Sequence, residues 1–285
     1  MTSLLSLPPT LRALTDDEIE RVNRDHPRPE GKTIDDWCPT CWGSKKFDYY
    51  AAADLDKPHR ERAIESYECS CPGQFKLWRL FHYTGLGEHY GRLGWADVLG
   101  VDPALFRFVH DYLTNAEMHL RQGTGLYLHG PNGNGKTLLA SLVFRRFLAL
   151  GNSGCWTTYN EMLELYTATW RNPTEREWFD ATVKRAQVLV IDDLGKESAN
   201  FNFQNVSMSA LDLVFRSRVQ SGQVTIITTN LEDADMVKRY SRSMASLVSE
   251  ACLARQVIGP DWRPELAAIK EYEVGKRLVR PFTLR

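Results

Sequence analysis

The chain has 285 residues, 43% hydrophobic and 25% charged, with 19 Gly and 13 Pro, which excludes a low-complexity, collagen-like or largely disordered protein and allows a sizeable core. Its 35 Lys and Arg oppose 36 Asp and Glu, a net charge of −1, so a generally basic nucleic-acid coat is excluded while a local basic groove is not. No apolar run is long enough to span a bilayer, and Pro8 and Pro9 interrupt an apolar start that has no basic flank, so a cytoplasmic protein without a membrane span is expected.

Residues 1–36 are polar and proline-bearing, with a short helix expected over Thr15–Arg24, where Thr15 and Glu18 have the spacing of a capping box. Residues 37–94 carry two cysteine pairs and many aromatics. Cys38-Pro39-Thr40-Cys41-Trp42-Gly43 has the form of a zinc knuckle, in which two thiolates reach one ion and the glycine permits the supporting turn. Cys69-Ser70-Cys71 would complete a closed tetrahedral Zn²⁺ shell, with His59 and His82 as alternatives to Cys71. Four thiolates without an open position indicate a structural ion. The following run, from Gln74 to Tyr83, interleaves Lys76 and Arg79 with Phe75, Trp78, Phe81 and Tyr83. Such residues either stack on bases of a single strand or fill the scant core of a small zinc module. Cys155 and Cys252 stand apart and read as small buried hydrophobes.

Residues 95–263 alternate β-rich runs with helical patterns. The runs are Gly125–His129, Cys155–Tyr159, Gln187–Ile191, Val224–Thr229 and Arg255–Ile258. Helices are expected over Leu105–Leu120, Lys136–Leu150, Glu161–Trp170, Thr174–Arg185 and Val206–Gln220. This alternation indicates an α/β fold built on a parallel five-stranded sheet. Residues 264–285 read as a C-terminal tail.

Within that pattern, Gly130-Pro131-Asn132-Gly133-Asn134-Gly135-Lys136-Thr137 matches G-x-x-x-x-G-K-[ST] between an expected strand and an expected helix. The glycines let backbone N–H groups turn toward phosphate oxygens, Lys136 can reach the β- and γ-phosphates, and the Thr137 hydroxyl can ligate Mg²⁺. Val188-Leu189-Val190-Ile191 ends in Asp192-Asp193, where Asp192 suits the Mg²⁺ shell and Asp193 can orient or deprotonate a water. Val224–Thr229 ends at Asn230, whose amide could sense a γ-phosphate. The guanine-reading pattern Asn-Lys-x-Asp is absent from the sequence, so ATP is the expected nucleotide.

Together these residues resemble the AAA+ P-loop NTPases of the DnaC/IstB type, which include bacterial and phage helicase loaders and transposition helpers. The resemblance covers about Trp95 to Arg263, and its most distinctive piece is Ile191-Asp192-Asp193-Leu194-Gly195. It implies an AAA+ ATPase core with Asp193 as catalytic base and Asn230 as first sensor. It also implies an arginine finger donated by a neighbouring subunit, for which Arg242 and Arg239 are candidates in two registers. Arg263, in Gly259-Pro260-Asp261-Trp262-Arg263, stands where a second sensor would contact nucleotide. The implied function is a loader of a replicative helicase onto single-stranded DNA, acting as a homo-oligomer in its ATP state, with the cysteine module touching helicase or DNA. Two other readings use the same core: a transposition helper acting on duplex DNA for a transposase, and a zinc-built adaptor with ATP as a switch.

Overall fold

The computed structural model describes residues 46–50, 64–68, 77, 80–100, 102–197, 201–275, 280 and 282–284. The chain divides into two units, Met1–Lys76 and Leu77–Arg285. In the first, strands β1 (Lys46–Tyr50) and β2 (Ile64–Glu68) pair antiparallel, with Lys46 opposite Glu68 and Tyr50 opposite Ile64. The expected helix over Thr15–Arg24 and the four clustered cysteines lie outside the described residues.

The second unit is an α/β layer structure. Its first described elements are α1 (Glu88–Arg92), a 3₁₀ turn at Trp95–Asp97, α2 (Pro103–Thr114) and α3 (Ala116–Gln122). Asp102 caps α2 by accepting from the Leu105 N–H at 3.1 Å, and Pro103 occupies the first turn, where a missing N–H costs nothing. One long helix over Leu105–Leu120 was expected here. Instead the chain breaks at Asn115, whose side chain and backbone both donate to the Asp111 carbonyl.

Five strands follow with their helices: β3 (Gly125–His129), α4 (Lys136–Ala149), β4 (Gly154–Thr158), α5 (Tyr159–Ala168), α6 (Pro173–Phe179), a π-helical turn (Asp180–Lys184) and β5 (Val188–Leu194). Then come α7 (Phe201–Gln220), β6 (Val224–Thr229), α8 (Asp233–Tyr240), α9 (Arg242–Ala251), β7 (Cys252–Gln256) and α10 (Arg263–Gly275). All pairings in this sheet are parallel and the order is β4-β5-β6-β3-β7. The expected parallel five-stranded sheet is present. Its last strand is Cys252–Gln256 and not Arg255–Ile258: Gly125 pairs with Cys252 and His129 with Gln256, an edge position that needs no continuous apolar run.

Side-chain alternation explains the two cores. Leu126, Leu128, Val188, Val190, Val224 and Ile226 point to one face, against Phe144 and Phe147 of α4. Tyr127, Leu189, Ile191 and Ile227 point to the other, against Leu163, Leu211, Val214 and Phe215. Cys155 and Cys252 are both buried and unpaired, as expected. The segment expected as a tail, 264–285, contains all of α10 except its first residue, and Phe282, which is 5% exposed and packs its ring near Phe81 and under the Arg92 guanidinium. Among the described residues, no helix is long and apolar enough to cross a membrane.

Candidate nucleotide site

The C-terminal ends of β3, β5 and β6 converge, as the central strands of such sheets do around a ligand. The loop from β3 to α4 makes three turns in backbone conformations that suit glycine: Gly130 at φ +142°, Gly133 at +77° and Gly135 at +93°. A Cβ at Gly130 would fall 2.3 Å from the Val257 carbonyl oxygen, so the loop also needs glycine for close approach.

Lys136 opens α4 and folds back over this loop. Its Nζ donates to the carbonyl oxygens of Gly130 and Pro131 at 2.9 and 2.7 Å, and to Asn134 Oδ1 at 3.2 Å. Burial lowers its pKa to about 8, helped by the Lys196 cation and opposed by Asp193 and Asp192. The ammonium therefore lies inside a cage of oxygens, next to the two carboxylates of β5.

Asp192 is 6% exposed and accepts twice through Oδ1, from Thr137 Oγ1 at 3.1 Å and from Thr228 Oγ1 at shorter range. Burial raises its pKa while both hydroxyl donors oppose the rise. Thr228 Oγ1 also accepts the Asp193 N–H at 3.0 Å, so one hydroxyl from β6 locks both acidic residues of β5. The ladder there has an extra residue: Ile191 pairs with Ile227 but Leu194 with Thr229. This bulge places Asp193 at φ +60°, a left-handed conformation that aspartate tolerates better than most residues, and turns consecutive side chains out of strict alternation. Asp193 is half-exposed and pairs with Lys196 Nζ at 2.7 Å.

At the end of β6 the Asn230 Nδ2 donates to Asn132 Oδ1 at 2.8 Å, linking the strand to the tip of the glycine loop. Thr137, Lys136, Asp192, Asp193 and Asn230 are thus brought together. From the other side, the segment after β7 closes on the loop. Asn134 Nδ2 donates to the Val257 carbonyl oxygen, Trp262 N–H donates to the Gly133 carbonyl at 3.0 Å, and the Asp261 carboxylate rests against the Gly133 Cα. Arg263 begins α10, is mostly exposed, and lies 3.6 Å from Asp261; its charge is felt at Lys136.

The two finger candidates differ. Arg239, in α8, donates from Nε to Glu197 Oε1 at 2.8 Å and from Nη2 to the Glu197 carbonyl at 2.6 Å. Arg242, the first residue of α9, is exposed and has no hydrogen bond or ion pair among the described residues.

Three residues near this site carry no motif that would single them out. Burial and the nearby Asp192 charge raise the pKa of Tyr90 in α1, whose ring stacks on Trp156 with centroids 6.2 Å apart. Thr228 was legible only as part of a strand ending. Glu197, two residues beyond Gly195, is almost fully buried and had no signal except its nearness to Asp193.

The donor set fits a nucleotide with Mg²⁺: three positive-φ glycines form the cradle, and a hydroxyl and a carboxylate already in contact could hold the ion. Among the described residues no cluster of three or more His, Cys, Asp or Glu could hold a metal by itself. Cys38, Cys41, Cys69 and Cys71, the expected zinc ligands, lie outside those residues, as does His59.

A family model described as RNA helicase matches residues 126–236, from β3 into α8. Solved structures of other proteins share the fold, two of them at 20% and 22% identity. One is the crystal structure of DnaI, with a TM-score of 0.50 and 20% identity over 60% of this chain and 93% of that one. The other is the crystal structure of the DnaC helicase loader, with a TM-score of 0.50 and 22% identity over 60% of this chain and 100% of that one. No curated protein matches the sequence. The α/β P-loop fold of the DnaC and DnaI structures is therefore the fold of this chain's second unit.

Proposed function

We propose that the chain is an AAA+ ATPase that loads a replicative helicase onto single-stranded DNA. The observation that carries the ATPase reading is the Thr137–Asp192 hydrogen bond under the glycine loop, since it presents the two oxygens a phosphate-bound Mg²⁺ requires. The loader reading adds the fold shared with DnaI and the DnaC helicase loader.

In this reading Gly130, Pro131, Asn132, Gly133, Asn134 and Gly135 wrap the polyphosphate with backbone N–H groups, and Lys136 leaves its carbonyl cage to meet the β- and γ-phosphate oxygens. Thr137 and Asp192 hold Mg²⁺, which when bound neutralises charge on the phosphates. Asp193 accepts the proton of the attacking water, and the Asn230 amide orients that water or the γ-phosphate. Arg242 of a neighbouring subunit supplies positive charge to the transition state, which makes the ATP-bound form a homo-oligomer. Arg263 reaches the nucleotide from the post-β7 segment.

Cys38, Cys41, Cys69 and Cys71 form a structural Zn²⁺ site in the first unit. Support comes from the β1–β2 pairing, which brings Lys46 and Glu68 together at the open end of the hairpin, with one cysteine pair just before it and the other just after it in sequence. The zinc would fasten those two chain ends and take no part in hydrolysis. Elemental analysis should give about one zinc per chain.

The deciding experiment measures ATP turnover against protein concentration, with and without single-stranded DNA and the hexameric helicase of the source cell. Specific activity should rise with concentration and with each partner, and vanish in Lys136→Ala and Asp193→Asn. Turnover independent of concentration and partners would overturn the loader reading, and stimulation by duplex DNA with a transposase would replace it with the transposition helper.

A further inference from the structure

Glu197 follows the Asp-Asp strand end in the loop between β5 and α7, with a side chain only 2% exposed. A carboxylate so deeply buried needs donors, and it has four. Oε2 accepts the Gly195 N–H at 3.0 Å, while Oε1 accepts from Arg239 Nε at 2.8 Å, from Ser207 Oγ at 3.3 Å and from the Tyr240 hydroxyl. The Glu197 carbonyl takes a second guanidinium N–H from Arg239. Ser207 is itself held by Tyr159, whose hydroxyl donates to the Ser207 carbonyl at 2.6 Å.

Two consequences follow from this arrangement. Arg239 spends both its Nε and one terminal nitrogen on Glu197, so it could reach a neighbour only by leaving a buried carboxylate unpaired. Arg242 lies three residues on, past a sharp reversal: Tyr240 ends α8, Ser241 takes φ +102°, and its Oγ accepts the Met244 N–H to start α9 at Arg242. The position of that exposed cation is therefore fixed from Tyr240 and Arg239, and both are fixed by Glu197.

We propose that Glu197 is a positioning residue for the finger: it joins the loop that follows Asp193 to the α8–α9 corner, keeps Arg239 as an internal partner, and thereby presents Arg242 to the adjoining subunit's nucleotide. This rests on the shared-site reading above. One carboxylate then touches the loop beside a subunit's own site through Gly195, and the arginine given to the next site through α8. A change of loop geometry on hydrolysis would thus be transmitted to the neighbour.

Subunit mixing tests the proposal. In the control pair, Lys136→Ala chains supply a finger and Arg242→Ala chains supply a pocket, and mixing should restore turnover. Glu197→Gln keeps an oxygen for the Gly195 N–H but removes the charge that holds Arg239. Alone it should bind a labelled ATP analogue at wild-type strength and turn over at least about tenfold more slowly. Mixed with Lys136→Ala it should regain activity, because its pocket is intact. Mixed with Arg242→Ala it should not, because neither chain then places a finger. Tyr240→Phe, which leaves the Glu197–Arg239 pair in place, should give the same pattern with a smaller loss, separating misplacement from misfolding.

Restoration with Arg242→Ala but not with Lys136→Ala would overturn the proposal, placing the Glu197 effect in its own pocket. Unchanged or faster turnover in Glu197→Gln would also overturn it, because a finger at Arg239 would gain from release. A control pair that fails to restore activity would instead overturn the shared-site reading, and this inference with it.

Discussion

The Asn230 amide donates to the Asn132 side-chain oxygen across 2.8 Å, so the end of β6 holds the tip of the glycine loop. In the proposed sensor role, a γ-phosphate and its water would compete with Asn132 for the same amide. Asn230→Ala should therefore leave affinity for an ATP analogue nearly unchanged and lower turnover about 10²-fold, the usual effect of losing one donor aimed at developing charge. Equilibrium binding and steady-state hydrolysis on the same preparation separate the two. A matched loss of affinity would make Asn230 a loop strut and no sensor.

A second prediction concerns Arg218, which is 0% exposed and faces no carboxylate among the described residues. Its guanidinium donates to the carbonyls of Val183, Lys184, Ala186 and Val224 and to Thr225 Oγ1, tying α7 to the π-helical turn and to β6. Each buried acceptor left without a donor costs about 1–3 kcal/mol. Arg218→Met, similar in volume, should then lower unfolding free energy by about 3 kcal/mol or more in urea titration. Arg218→Lys should recover little, since one ammonium cannot span acceptors fanned around a planar fork.

What could be read before folding was whatever chemistry is local. Gly130 to Thr137 and Val188 to Asp193 are contiguous, and a buried central strand announces itself by four apolar residues in a row. Cys252–Gln256 does not, because this edge strand sends only Cys252 into one core and Leu253 against the other, and leaves its last three residues exposed. Helices α8 and α9 were equally hidden: they are short, and the turn between them depends on Ser241 holding a positive φ that no rule assigns to serine. Tyr90, Thr228 and Glu197 reach the site or its loop through contacts made only once the sheet has formed. Their residue types carry no period or spacing.

The third prediction concerns the end of the chain. The Phe282 ring lies 5.9 Å from that of Phe81 and 3.8 Å beneath the Arg92 guanidinium, while the buried Arg145 of α4 donates to the Thr283 carbonyl at 2.8 Å. Thr283 N–H returns a bond to the Gly91 carbonyl. Phe282 and Thr283 are thus held in the core beside the phosphate-loop helix. Phe282→Ala should cost about 3–5 kcal/mol of stability, and Phe282→Leu under about 1.5 kcal/mol. Denaturant midpoints within error of wild type for both would show that this segment is a passive tail.

The last prediction distinguishes two glycines of the same loop. Gly133 and Gly135 have φ of +77° and +93°, so alanine at either position carries the left-handed penalty of about 1–2 kcal/mol. Their surroundings differ. A Cβ at Gly135 would meet nothing within 4 Å, whereas one at Gly133 would fall 1.8 Å from Asp261 Oδ1. Asp261 cannot simply swing aside at no cost, because Oδ1 also accepts the Arg263 N–H at 3.1 Å and the neighbouring Trp262 N–H is bonded to the Gly133 carbonyl. Both alanine variants should weaken nucleotide binding through the distorted cradle. Gly133→Ala should in addition detach the post-β7 segment, and its denaturant midpoint in nucleotide-free protein should fall below that of Gly135→Ala. Adding Asp261→Ala should recover that extra loss in the Gly133→Ala background and do nothing for Gly135→Ala, because only the first clash involves the carboxylate. Equal midpoints for the two glycine variants, with no recovery on removing Asp261, would mean that the segment after β7 does not bear on the phosphate loop, and Arg263 would lose its route to the nucleotide.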